Sequence, residues 1–192
     1  MKSVIIGGVT RAGKSVLARR IRERTHLNVL PVDALVVSLR AAFPELGVNW
    51  DDAAASRQKL WPFLRVLICK LSLRSGFSYL YEGDHLSPEL LSGLGPDYPF
   101  LASTVPLFLG YDSISVPEKM KQLRAFSAQN LCYTKNMPNA ELAALCAQQI
   151  AESVLLKQRC GELGFAYFDT SVDFDGAIER ACEFVCGEVG TG

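Results

Sequence analysis

Eight residues near the amino end, Gly8-Val9-Thr10-Arg11-Ala12-Gly13-Lys14-Ser15, constrain this chain more than any other stretch. They keep the spacing G-x-x-x-x-G-K-S. The apolar, β-branched run Val4-Ile5-Ile6 precedes them and Val16-Leu17-Ala18-Arg19-Arg20-Ile21 follows, so the local order is strand, glycine-rich turn, helix. That order with that spacing is the signature of a phosphate-cradling P-loop. Gly8 and Gly13 permit backbone conformations that a side chain disfavours. Consecutive N–H groups can then point inward at phosphate oxygens. The helix that follows adds unpaired N–H groups and about half a positive charge at the same place. Nucleotide contacts are therefore expected from Gly8 through Val16, with Lys14 reaching the β and γ phosphates and the Ser15 hydroxyl on Mg²⁺.

A chain of 192 residues suits one domain, 1–192, with room for inserted substrate-binding and lid segments. Lys plus Arg and Asp plus Glu both number 20, so there is no basic excess to coat nucleic acid and no acidic tail. The six cysteines, Cys69, Cys132, Cys146, Cys160, Cys182 and Cys186, form no C-x-x-C pair, and only two histidines could join them at a metal. Reduced, buried thiols in a cytoplasmic protein are expected, not a disulfide framework. Val4-Ile5-Ile6 is too short for a signal peptide, and no run reaches transmembrane length. Neither a nucleic-acid nor a membrane partner is expected. Composition is silent on oligomeric state.

Along the chain, strands are expected at residues 3–6, 27–32, 77–81, 104–109 and 165–168. Helices are expected from Gly13 to Arg24, Ala34 to Phe43, Asp51 to Ser75, Ser87 onward, Ser115 to Asn130, Asn139 to Cys160 and Asp173 to Cys186. Pro62 predicts a kink or break in the long third helix. Gly76 and Gly161 read as helix ends, Asp51 or Asp52 and Asn139 as caps, and Gly187 to Gly192 as a frayed tail. Strands alternating with helices imply a parallel sheet covered on both faces. Asp33 then stands at the carboxyl end of strand two, on the edge where open α/β sheets bind ligands.

The P-loop GGVTRAGKS, the acidic residue after strand two, and the segments EGDHLSPE, FLGYDSISVPEKMKQLR and FAYFDTS together resemble P-loop small-molecule kinases of the adenylate kinase, shikimate kinase and zeta-toxin group. Within it they are most similar to proteins labelled 2-phosphoglycerate kinase-like. The resemblance spans nearly the whole chain. It implies a three-layer α/β fold with a five-stranded parallel sheet in the order 2-3-1-4-5. It implies a substrate-binding helical segment over 34–76, a lid-containing segment over 111–164, and ATP with Mg²⁺ as cofactors. It also places strand three beside the P-loop strand, and the adenine-binding loop after strand five at Thr170 and Ser171. The chain departs from nucleotide kinases in lacking paired lid arginines, which counts against a nucleoside monophosphate acceptor. No N-K-x-D guanine signature is present, so ATP is favoured over GTP.

Phosphoryl transfer requires a held donor, offset charge and an aligned acceptor. Asp33 is the candidate to bind the acceptor hydroxyl and take its proton; the alternative is a carboxylate capping its own helix. Glu82 and Asp84 follow strand three and either hold Mg²⁺ through water, orient the acceptor, or sit in a solvated turn. His85 reads as a hydrogen-bonded surface histidine. Arg11 contacts the γ phosphate or a lid, or is an exposed spectator. Arg124 is the candidate charge-offsetting cation, against a solvated helix face. Arg40, Arg57 and Arg65 would grip a phosphorylated or carboxylated acceptor bidentately. Trp50, Trp61 and Phe63 read as core or hinge packing. The leading expectation is an ATP-dependent kinase for a hydroxyl of a small, anionic metabolite. The alternatives are a nucleotide-gated ATPase or switch, and a phosphotransferase for an antibiotic or nucleotide sugar.

Overall fold

Successive side chains of the first strand point to opposite faces of the sheet. Val4 and Ile6 bury themselves on one side of the first strand and Ile5 on the other, all at 0% exposure. A strand buried on both faces needs helices above and below it. The computed structural model describes residues 2–49, 52–72, 77–94, 103–129 and 134–190. In it the strands β1 (Ser3–Gly8), β2 (Asn28–Pro31), β3 (Tyr79–Glu82), β4 (Thr104–Gly110) and β5 (Ala166–Asp169) form one sheet, ordered β2-β3-β1-β4-β5. Every pairing is parallel.

The first face carries α1 (Lys14–Thr25) and α7 (Phe174–Val189), whose Leu17, Ile21, Ile178 and Val185 close over Val4 and Ile6. The second carries α2 (Val32–Ala42), α3 (Ala53–Ser72), α4 (Pro88–Ser92) and α6 (Asn139–Leu163), packed on Ile5, Tyr81 and Phe108. Each fully buried aliphatic side chain here stabilises the fold by roughly 1.5–3 kcal/mol. A small third cluster, Leu123, Leu142 and Cys146, joins α5 (Val116–Gln129) to α6. The three-layer architecture and strand order are those the resemblance implies. The register brings Pro31, Glu82 and Gly8 to one sheet edge, with Gly110 and Asp169 beside them.

Several boundaries differ from expectation. Helix α2 begins at Val32, so Asp33 lies inside its first turn, after a strand end at Pro31. Pro62 leaves α3 continuous over all 20 residues. Asn139 is not a cap: Pro138 precedes the helix with no side-chain cap bond, and α6 passes through Gly161 to Leu163. Gly164, with φ 72°, supplies the left-handed stop instead. Helix α7 continues to Val189, so Gly187 is helical and not part of a frayed tail. Asp52 does cap α3, its carboxylate accepting from Ala55 N–H at 2.9 Å. Trp61 is half-buried in the second core, whereas Phe63 is exposed. Trp50, Asp51, the expected helix ends at Ser75 and Asn130, Gly76, Cys132 and the tip Thr191-Gly192 lie outside the described residues.

Candidate active site

The glycine-rich turn leaves the sheet where sequence places it. Gly8 has φ 134° and Gly13 φ 99°, so both need the freedom that glycine supplies. Arg11 at the tip is also left-handed, at φ 64°. No side chain caps α1 at Gly13, so the N–H groups of its first turn remain for a ligand. Val16 sits in that turn with its side chain packed toward the first core. Ala12 is fully buried and Val9 nearly so, which anchors the loop from beneath.

Lys14 is 6% exposed, donates to the Val9 carbonyl at 2.8 Å, and forms an ion pair with Asp84. Thr10 donates its hydroxyl to the other Asp84 oxygen at 2.6 Å. Burial works against the Asp84 carboxylate, but Lys14 and Thr10 outweigh it and hold the carboxyl below its ordinary value. Ser15 Oγ lies 3.2 and 3.3 Å from the two oxygens of Glu82. Glu82 is 7% exposed, and burial pushes its carboxyl up despite Lys14. A hydroxyl and a buried carboxylate side by side, the latter short of positive charge, form the hard-oxygen donor pair that Mg²⁺ takes when phosphates and water complete its shell. Neither Glu82 nor Asp84 lies in a solvated turn.

Asp33 does not cap its own helix. Its carboxylate accepts the Asp84 N–H at 3.0 and 3.2 Å and lies 3.2 Å from His85 Nδ1. Gly83 makes this approach possible, since a Cβ there would meet Asp33 Oδ1 at 2.7 Å. His85 is buried at 3% exposure, not a surface histidine.

Three side chains from distant elements brace the loop. Tyr111 donates its hydroxyl to the Thr10 carbonyl at 2.9 Å. Gln149 of α6 accepts the Thr10 N–H at 3.1 Å. Lys119 of α5 donates to the Arg11 carbonyl at 3.3 Å, with its ammonium 3.5 Å from the Tyr111 ring centroid. Burial pushes Lys119 down to about 8. Sequence spacing gave no signal for Tyr111 or Gln149, whereas Lys119 is one of the cations of the expected lid segment. Each meets the loop across more than a hundred residues of chain.

Arg124 sits about 140° around α5 from Lys119. Its guanidinium bonds the Thr134, Lys135 and Met137 carbonyls and Asn139 Oδ1, tying α5 to α6. That is a brace, not a cation held at the P-loop. Arg124→Ala is expected to cost about 2 kcal/mol of stability, or about 4–8 °C in Tm for a chain of this size. Arg124→Lys should recover little, because an ammonium cannot span those four oxygens. Unchanged Tm with lost turnover would return Arg124 to the phosphoryl group.

Arg11 places its guanidinium 5.8 Å from the Phe126 ring. Thr170 and Ser171 are buried at 1% and 3%. Thr170 bonds the Gly110 carbonyl through both N–H and hydroxyl, and the Ser171 hydroxyl accepts from Ser113 N–H and donates to Asp169. Their side chains therefore stitch β4 to β5. The exposed member of that turn is Val172, at 87%.

A cavity of about 260 Å³ opens beside Gly8 and Val9. Arg57 of α3, Asp84, Leu86, Ser87, Pro88 and Glu89, and Glu152, Leu155, Leu156 and Arg159 of α6 contribute its walls. Of the residues expected at the acceptor, Arg57 and Asp84 line it. Asp33, Glu82 and Arg40 do not, and Arg40 projects from the exposed last turn of α2. Arg57 Nε donates to the Asp84 carbonyl at 2.9 Å, which joins the cavity wall to the P-loop partner.

No protein-family model matches the chain, and no curated protein matches its sequence. Solved structures do match it in fold. A sugar kinase from Janibacter sp. HTCC2649 superposes with a TM-score of 0.55 at 18% identity, covering 100% of this chain and 99% of that one. A gluconokinase from Sinorhizobium meliloti 1021 gives 0.57 at 18% identity, with 98% of both chains covered. A shikimate kinase from Bacteroides thetaiotaomicron gives 0.55 at 11% identity, again over 98% of both. The likeness is to the fold of P-loop small-molecule kinases.

Proposed function

We propose that this chain is an ATP- and Mg²⁺-dependent kinase that transfers a γ-phosphoryl group to a hydroxyl of a small metabolite. One observation carries the reading: the P-loop and a cavity of about 260 Å³ share a wall at Gly8, Val9 and Asp84. A hydroxyl in that cavity lies beside the place where phosphates sit. The neighbours of like fold, a sugar kinase, a gluconokinase and a shikimate kinase, support the same class. The cavity is smaller than the roughly 300–1,000 Å³ of drug-sized pockets. That favours a compact acceptor, the 2-phosphoglycerate-like size included, over an antibiotic or nucleotide sugar.

When bound, Mg-ATP supplies the transferable phosphoryl group and part of the charge that offsets it. The chain does the rest. The N–H groups from Gly8 to Val16 cradle the phosphates, and Lys14 exchanges Asp84 for phosphate oxygens. Ser15 and Glu82 would hold the metal. Lys119 adds positive charge at the loop tip in place of Arg124. Asp84 orients the acceptor, and Asp33, which pairs with no lysine or arginine among the described residues, takes the proton from its hydroxyl. In the balanced step, the acceptor oxygen bonds phosphorus as the bond to the ADP oxygen breaks, and the hydroxyl proton passes to Asp33. The turn after β5, with exposed Val172, receives the adenine through its backbone.

Among the described residues no helix is long and apolar enough to cross a membrane. The described cysteines Cys69, Cys146, Cys160, Cys182 and Cys186 are free thiols, which fits a cytoplasmic setting. An ADP-release assay over a panel of hydroxylated metabolites tests the function. Acceptor-dependent ADP release is expected. Hydrolysis at one rate with every acceptor, unaltered by Asp33→Ala, would replace the kinase by an ATPase or switch.

A further inference from the structure

His85 is buried at the site, and the transfer step gives it no role. Its side chain is 3% exposed, and Nδ1 lies 3.2 Å from Asp33 Oδ1. A carboxylate only accepts, so Nδ1 carries the hydrogen and donates it. The two residues stand 52 apart in the chain. Parallel pairing of β2 with β3 sets Pro31 opposite Glu82 and so brings them to one sheet edge. Gly83 completes the approach, because a Cβ there would meet Asp33 Oδ1 at 2.7 Å and push the carboxylate away.

The donors on Asp33 are shared unevenly between its two oxygens. Oδ1 takes the His85 ring N–H and the shorter arm of the Asp84 amide, at 3.0 Å. Oδ2 takes only the longer arm of that amide, at 3.2 Å. The last torsion of an aspartate is broad and roughly two-fold, so a single amide divided between both oxygens does not choose which one faces the acceptor. The imidazole breaks that symmetry by adding a second bond to Oδ1 alone. Asp33 sits in the first turn of α2 with its side chain 37% exposed, so the carboxylate keeps an open side. Oδ2 is the oxygen with the greater bonding capacity left. A base must come within about 2.6–3.2 Å of the oxygen whose proton it takes, and a carboxylate free to turn meets that condition for only part of the time.

We infer that His85 is a positioning residue for phosphoryl transfer: through its Nδ1–H it fixes Oδ1 of Asp33 and so presents Oδ2 to the acceptor hydroxyl. The O–H bond of the acceptor breaks as the Oδ2–H bond forms, and the His85 hydrogen stays on Nδ1. This rests on the kinase reading above.

The test uses the full chain, first labelled with 15N-histidine. His26, exposed at the end of α1, is the only other histidine, so the ring signals are readily told apart. His85 should show an Nδ1–H that exchanges slowly with water and moves on Asp33→Ala, while His26 does not respond. Turnover is then read as ADP release with D-gluconate, shikimate, glycerol or water as acceptor, and nucleotide affinity by calorimetry with a non-hydrolysable ATP analogue. His85→Phe keeps the bulk and removes the donor. It should lower kcat about 10–100-fold, the scale for losing a partner that orients a functional side chain, and leave KM for ATP and Kd for the analogue within about twofold. His85→Asn places an amide N–H at the Nδ1 position and should recover most of kcat. In an Asp33→Asn background His85→Phe should lower kcat no further, because its effect passes through Asp33. If His85→Phe does not fold, His85→Gln takes its place: its amide sits at the Nε2 position, and it should be slow where His85→Asn is fast. Additive effects in the double variant, equal loss of analogue affinity and kcat, equal rates for His85→Gln and His85→Asn, or an Nδ1–H that ignores Asp33→Ala would overturn the inference and leave the kinase standing. ADP release at one rate with all three metabolites and with water, unaltered by Asp33→Ala, would refute the kinase and the inference with it.

Discussion

Lys14→Ala is expected to lower phosphoryl transfer by about 10³-fold or more, the range seen when one preorganised charge donor is removed. Affinity for ATP should fall with it. The same substitution should destabilise the fold, because Lys14 is 6% exposed and its half-buried partner Asp84 would be left without its cation. Breaking such a pair costs about 3 kcal/mol, or about 6–12 °C in Tm for a chain of this size. The pH dependence follows from the direction of the Asp84 shift. In wild type the carboxyl is held below its ordinary 3.8, so its contribution is present above that value and is lost as pH falls through the folded value. In Lys14→Ala, burial is opposed by Thr10 and His85 without the ammonium, and the carboxyl rises from its wild-type value. The penalty is then full near neutral pH and fades as the group protonates in acid. Lys14→Ala/Asp84→Asn should recover most of the stability and none of the turnover. Thermal melts at several pH values, with ADP release alongside, separate the two effects. Wild-type turnover in the single variant would take Lys14 out of the mechanism.

Asp33→Asn is expected to keep ATP affinity and lose turnover by roughly 10²–10⁴-fold, the usual scale for a positioned general base. Asparagine keeps one oxygen for the Asp84 N–H, which Asp33 now accepts at 3.0 and 3.2 Å, so the turn after β3 should stay in place. What it removes is the ability to take a proton. Calorimetric Kd for ATP and kcat by ADP release are the two readouts. If both fall by the same factor, Asp33 is a structural anchor for the Asp84–His85 turn and the proton goes elsewhere.

These two residues show what local sequence carries. The turn that carries Lys14 was legible because it is local: glycine positions, the preceding strand and the following helix all lie within about twenty residues. Asp33 was placed at the right sheet edge, yet its partners were not foreseen. They are an amide and an imidazole about fifty residues on, brought near by β2 and β3 pairing and by the missing Cβ of Gly83. Arg124 misled for the same reason. Its position on α5 was correct, but nothing nearby in sequence shows that Thr134, Lys135, Met137 and Asn139 meet its guanidinium.

Sequence by itself determined the alternation of strands and helices, the glycine-rich turn before α1 and the carboxylates that follow β2 and end β3, because each depends on residues close along the chain. Only the tertiary structure decided which cation faces the loop, which helix completes the cavity beside it, and that Thr170 and Ser171 serve the sheet. Those outcomes depend on how helices from the last third of the chain pack across the sheet edge. Packing of that kind is fixed by the summed fit of many apolar contacts, and no short motif encodes it.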